Sequence, residues 1–204
     1  YIDRPKIVWP NGAKLAFWVA PNIEFYEIDP PINPNRKPWP RTKPPVTAYS
    51  IRDYGNRVGH MRQMALLDKY NIRGSISLSA AICEHHPEIV EMCLERDWEF
   101  FSHGIYNTRY TYGLSEDQER EMILDAFSTI EKHTGKPPVG YLAPALSHSE
   151  HTLDLFAEIG GLYTCDLFHD DQPTPVRVRS AKKFVSVPYS LEMNDTIAFV
   201  FNKI

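Results

Sequence analysis

Three cysteines in 204 residues, at 83, 93 and 165, are too few and too oddly numbered for a disulfide framework. Their spacing matches no zinc knuckle either, and each lies in an apolar segment. They read as small buried hydrophobes in a reducing compartment, and a cytoplasmic location is expected. No apolar run approaches the length of a membrane span, and no signal peptide is visible. The chain begins at Tyr1 rather than Met, which leaves room for a leader upstream. Lys and Arg form no cluster and the formal net charge is −4, which argues against nucleic acid as the main partner. There is no internal repeat. A hydrophobic content of 43% with 24% charged residues describes a water-soluble globular chain, long enough for one well-buried domain.

Proline, by contrast, is abundant at 17 residues, many of them in DPPINPNRKPWPRTKPPV, residues 29–46. That stretch cannot be a helix or a central strand. It reads as a long extended loop: a packing strap, an oligomer arm or a lid over the site.

Elsewhere seven short apolar runs predict strands at 15–20, 75–79, 98–103, 140–144, 162–167, 184–190 and 197–202. Helices are predicted between them. One spans 57–70, with Val58, Met61, Met64 and Ala65 on one side, and another spans 87–96 behind Pro87. A third runs to His133, opened by a Ser115–Gln118 capping box and closed by Gly135. A shorter one covers 149–159. This alternation predicts a mostly parallel sheet or an incomplete β/α barrel, whose reacting groups collect at the C-terminal ends of the strands.

Conspicuous polar residues fall at those ends. Asn22 and Glu24 follow strand one, and His103 ends strand three inside Ser-His-Gly. Asp166, Asp170 and Asp171 follow strand five, and Tyr189 and Asn194 follow strand six. Asp53 and Arg57 sit in DYGNRVG, placed ahead of the first helix. Each has a structural explanation as well. Asp53 caps a helix or pairs with Arg57 four residues on, and Asp170 with Asp171 forms a solvated turn. His148 and His151 have a spacing that holds metals, but also fit an exposed helix start. His103 stands apart as a functional residue by its position at a strand end beside an acid-bearing loop.

Taken together, SHGIYNTRY, the helix carrying EDQERE, and TGKPPVGYLAP resemble the polysaccharide deacetylase (NodB-homology) superfamily. DYGNRVG, YTCDLFHDDQP and VPYSLEMND resemble the branch with cofactor-independent allantoinases and cyclic-imide hydrolases. The resemblance covers nearly the whole chain. It implies a distorted, incomplete (β/α) barrel that hydrolyses non-peptide C–N bonds. It also implies departures. The family's Asp pair after strand one becomes Asn22-Ile23-Glu24, and its second histidine after strand three becomes Asn107. Its arginine motif becomes Tyr141-Leu142-Ala143-Pro144. Relatives continue past the last residue here and carry a late catalytic histidine. The expected organisation is therefore one domain over 1–204, short of the family's C-terminal part.

On that basis a small-molecule substrate is expected, in a homo-oligomer. Glu24 serves as base or water-positioning acid, and His103 orients water or stabilises the tetrahedral intermediate. Asn107 and backbone N–H groups near Ala143 donate to the oxyanion. Arg57 and Tyr189 hold polar substrate edges, Asp53 positions Arg57, and Phe25 and Tyr106 wall the pocket. Asn22, Pro144, Asp170 and Asn194 complete the substrate contacts. No cofactor is expected; if a metal is used, it is a weakly held divalent ion such as zinc on Glu24 and His103. The rival readings are a metal-dependent de-N-acetylase of carbohydrates and a non-catalytic binding protein.

Overall fold

A computed structural model describes residues 2–31, 43–180 and 183–201. Most of the proline-rich stretch 29–46 therefore lies outside the described residues. The sheet has seven strands in the order β1-β2-β3-β4-β5-β7-β6. These are β1 (Asn22–Ile23), β2 (Ser75–Leu78), β3 (Glu99–Ser102), β4 (Gly140–Tyr141), β5 (Tyr163–Thr164), β6 (Thr174–Val176) and β7 (Phe184–Ser186). Every pairing is parallel except β6 against β7. Consecutive parallel strands laid side by side in chain order are the winding of a barrel. Among the described residues the sheet stays open between β1 and β6, and Asn22 Nδ2 donates to Tyr189 Oη at 2.8 Å.

The helices are α1 (Val46–Tyr54), α2 (His60–Lys69), α3 (Ile82–His85), α4 (Pro87–Glu95), α5 (Glu116–Thr134) and α6 (Thr152–Glu158). The capping box of α5 is complete: Ser115 Oγ accepts from the Gln118 N–H, and Gln118 Oε1 accepts from the Ser115 N–H. Gly135 ends the helix in the left-handed conformation. One face of the sheet packs on the helices through Ile76, Leu78, Ile89, Cys93 and Ile130, and through Tyr141, Phe156 and Phe184. By strand alternation the other face points inward and carries Phe101, Leu142 and Cys165 with Trp18, Val187 and Tyr189. The three thiols are free and buried. Burial pushes Cys83 up to about 11 and Cys93 up to about 12, so both are neutral, unreactive packing groups.

Three expectations require correction, and one strand is additional. The strand expected at 15–20 is displaced, because Leu15 and Phe17 are 75% and 68% exposed. Pairing to β2 starts only where Ser75 N–H donates to Val19 O, and the strand proper is Asn22–Ile23. DYGNRVG does not precede the first helix. Its glycines are accommodated in a π-helical turn, Gly55–Gly59, that joins α1 to α2 without a break. In the run expected as a strand at 197–202, the described residues form a π-helical turn, Thr196–Phe201, rather than a strand. Finally, β6 was not anticipated because it contains Pro175, which an edge strand tolerates since it need not donate on its outer side.

Candidate active site

Because β1 to β5 run parallel, the residues that follow them meet on one rim. Strand alternation aims Asn22 and Glu24 from β1, Ser77 and Ser79 from β2, and His103 from β3 to the inner side. Glu24 Oε1 lies 3.2 Å from His103 Nε2. Glu24 Oε2 accepts from Asn107 Nδ2 at 2.7 Å and from the Tyr26 hydroxyl. The opposite ring nitrogen of His103, Nδ1, lies 2.8 Å from Leu142 O. A carbonyl only accepts, so Nδ1 carries a proton and Nε2 is the nitrogen presented to Glu24.

That assignment has an electrostatic consequence. Burial alone would raise Glu24, but His103, the Tyr26 hydroxyl and the Arg52 charge outweigh it and hold the carboxyl below its ordinary range. Burial alone would lower His103, but Glu24, the Leu142 carbonyl and the charge of Asp166 raise it. The two displacements run in opposite directions, and both favour the pair in its carboxylate–imidazolium form. The Nε2···Oε1 approach is an ion-pair contact. His103 Nε2 joins Asn22 Oδ1, Ser77 Oγ, Ser79 Oγ and Asn107 Oδ1 among buried polar atoms without a hydrogen-bond partner. Such atoms are rare in protein interiors, and their concentration here marks a place built to engage something polar.

Several of these partners were not singled out in the sequence. Tyr26 lies two residues after Glu24 and so shares its face, a period-two signal that was available. Arg52 packs 3.9 Å over the Tyr26 ring, and the π-helical turn brings Asn56 Nδ2 within 3.0 Å of Glu24 O. Both depend on how α1 docks, which no local pattern reveals. Burial and the Glu24 charge push the Tyr26 phenol up, so it remains a donor to Glu24.

The remaining expected residues divide. Tyr189 Oη accepts from Asn22 and from Asn194 at 3.2 Å, which brings these three together beside Glu24. Phe25 stacks on His85 at 4.2 Å, with Tyr106 5.9 Å away. Arg57 is paired with Asp53 and keeps 70% of its side chain exposed. The Ala143 N–H, expected near an oxyanion, donates instead to Asp166 Oδ1 at 2.8 Å. Asp170 is engaged by Arg4 through both carboxylate oxygens, which holds it down at about 2.

Pro144 has a steric role. Gly104 has φ +66°, and a Cβ there would lie 2.8 Å from Pro144 Cγ. Gly104→Ala is expected to cost about 1–3 kcal/mol from the left-handed backbone alone. Thermal unfolding should show a drop of about 2–4 °C per kcal/mol. An unchanged melting temperature would contradict this reading of the turn.

The family resemblance implies a divalent metal, and the donor set can be tested against it. Among the described residues no three His, Cys, Asp or Glu side chains are grouped as metal ligands. Glu24 and His103 contact one another, and Asn107 turns its amide nitrogen, which cannot coordinate, toward Glu24. Two donors already paired with each other do not fit the tetrahedral N/O/S set that zinc requires.

Residues 41–163, well over half of the chain, match the model of the polysaccharide deacetylase family. A peptidoglycan deacetylase of Helicobacter pylori is 30% identical over 142 residues, which cover 70% of this chain and 48% of that protein. A peptidoglycan deacetylase-like protein of Gibberella zeae is 27% identical over 130 residues, covering 62% of this chain and 38% of its own. The chain thus spans half or less of the length of these relatives. The crystal structure of the PuuE allantoinase superposes with a TM-score of 0.79 at 25% identity, covering 95% of this chain and 68% of that one. The open, mostly parallel sheet is therefore a distorted (β/α) barrel of the NodB type. With the match running from just ahead of α1 to β5, this chain belongs to the polysaccharide deacetylase family.

Proposed function

We propose that the protein hydrolyses an amide or imide C–N bond in a cyclic or ureido small molecule. The observation that carries this reading is the Glu24–His103 pair, turned on itself where a deacetylase would aim ligands at a metal. Amide hydrolysis needs an activated water, a stabilised oxyanion and a proton for the departing nitrogen. In this reading Glu24, ionised and 23% exposed at its side chain, positions the water, takes its proton and returns it to the departing nitrogen. The His103 imidazolium stabilises the oxyanion that forms beside it. Asn22, Tyr189 and Asn194 hold polar edges of the substrate. The structural likeness to an allantoinase supports a ring amide. The likeness to a peptidoglycan deacetylase supports the second reading, removal of acetyl groups from an amino sugar.

The test is hydrolysis of a hydantoin, a cyclic imide and acetylated chito-oligosaccharides, before and after chelation, with elemental analysis of the same sample. Ring opening that survives chelation is the expected result. Acetate release from the sugars, lost on chelation with stoichiometric metal present, would overturn both the substrate class and the metal-free chemistry. Saturable binding with no product would overturn the enzymatic reading altogether.

A further inference from the structure

We propose that Asp166 is a positioning residue for His103, acting through the single peptide group that joins Leu142 to Ala143. The two ends of that group are engaged from opposite sides. Its carbonyl, Leu142 O, accepts from His103 Nδ1 at 2.8 Å, and its N–H, on Ala143, donates to Asp166 Oδ1 at 2.8 Å. His103, Leu142, Ala143 and Asp166 are all buried.

The strand order explains why side chains meet there. β3, β4 and β5 are neighbours, and His103, Leu142–Ala143 and Asp166 follow them in turn. The last backbone rungs are Leu142 N–H to Ser102 O and Cys165 N–H to Tyr141 O. Beyond them, two side chains take over the next rungs. The amide is a conjugated unit, so negative charge at its N–H end increases electron density on its oxygen. Burial raises the Asp166 carboxyl, while the Ala143 N–H, His148 and the Thr164 hydroxyl work against that rise; in its ionised form Asp166 strengthens the acceptor that fixes the His103 ring and presents Nε2 to Glu24. Asp166 is itself held in register: Thr164 Oγ1 donates to Oδ2 at 3.2 Å and accepts from the Asp166 N–H at 3.1 Å.

This inference rests on the reading of Glu24 and His103 as the reacting pair, and its test separates the two. Asp166→Asn keeps volume and an acceptor oxygen but removes the charge. Thr164→Val keeps shape but releases Oδ2. Proton–nitrogen correlation spectra of histidine-labelled protein report the His103 Nδ1–H directly. In Asp166→Asn that proton resonance is expected to move upfield. Turnover should fall roughly tenfold, the worth of one charge-assisted hydrogen bond, with KM unchanged. Thr164→Val should move the resonance the same way by less. It decides the question alone if Asp166→Asn fails to fold. An unmoved resonance in a folded variant overturns the proposal, as does a moved one with full turnover. A wild-type protein with no turnover strikes the hydrolase reading instead and leaves the spectra to judge the positioning.

Discussion

Glu24→Gln is expected to reduce hydrolysis by about a thousandfold, within the range that a positioned general base contributes. The substitution keeps the size of the side chain and leaves an oxygen for the Tyr26 hydroxyl and Asn107 Nδ2. What it removes is the charge, and with it both the proton acceptor and the counter-ion of His103. KM should change little, because in the proposed reading Asn22, Tyr189 and Asn194 hold the substrate. Steady-state kinetics on the ring amide give the answer. Full turnover in Glu24→Gln, and likewise in His103→Ala, would remove the pair from the chemistry. Turnover restored to Glu24→Ala by an external carboxylate such as formate would confirm that Glu24 acts as the base.

The second large effect concerns stability and its pH dependence. Breaking a buried ion pair by removing one partner costs about 3–5 kcal/mol. Glu24 retains 23% side-chain exposure against 4% for His103, so the lower end, about 3 kcal/mol, is expected for Glu24→Gln. The sign follows from the two displaced titrations. His103 is raised in the folded protein, so its contribution is complete below the ordinary imidazole value, about 6.5, and fades as pH rises through its folded value. Glu24 is lowered, so its contribution is complete above about 4.3 and is lost as pH falls through its folded value. The pair therefore supports the fold most fully between about pH 4.3 and 6.5. Without Glu24, burial becomes the main influence on His103 and drives it below 6.5. The local slope then reverses, and raising the pH should stabilise Glu24→Gln relative to wild type. Melting temperatures of both proteins from pH 5.5 to 8.5, taken as a difference, cancel the other histidines. A flat difference would show that no such pair exists in solution.

Part of this molecule is written locally. The capping box at Ser115, the closing Gly135, the helix behind Pro87 and the runs that became β2, β3, β4, β5 and β7 are set by neighbours in the chain. Periodicity and turn chemistry reveal them. SHGIYNTRY, the helix carrying EDQERE and TGKPPVGYLAP together indicate the superfamily, and position at strand ends makes Glu24 and His103 candidates. The elements that misled did so where context overrides local pattern. Leu15 and Phe17 are apolar yet exposed, because apolar character alone does not specify a partner surface. Gly55 and Gly59 suggested a break, yet the helix persists as a π-helical turn with Asn56 reaching Glu24.

The sequence by itself determined the candidate groups, since the identities of Glu24, His103 and Asn107 limit what protons and ligands are available. Only the tertiary structure decided how they are arranged. Arg52, 28 residues after Glu24, reaches the site through the docking of α1. Asp166 reaches His103 through a peptide of the intervening strand end. Whether Ala143 N–H faces a substrate or a carboxylate depends on the register of β3, β4 and β5. The physical reason is range: backbone propensity acts over a few residues. Charge and hydrogen bonding in a low-dielectric interior act between whichever groups the packing brings together.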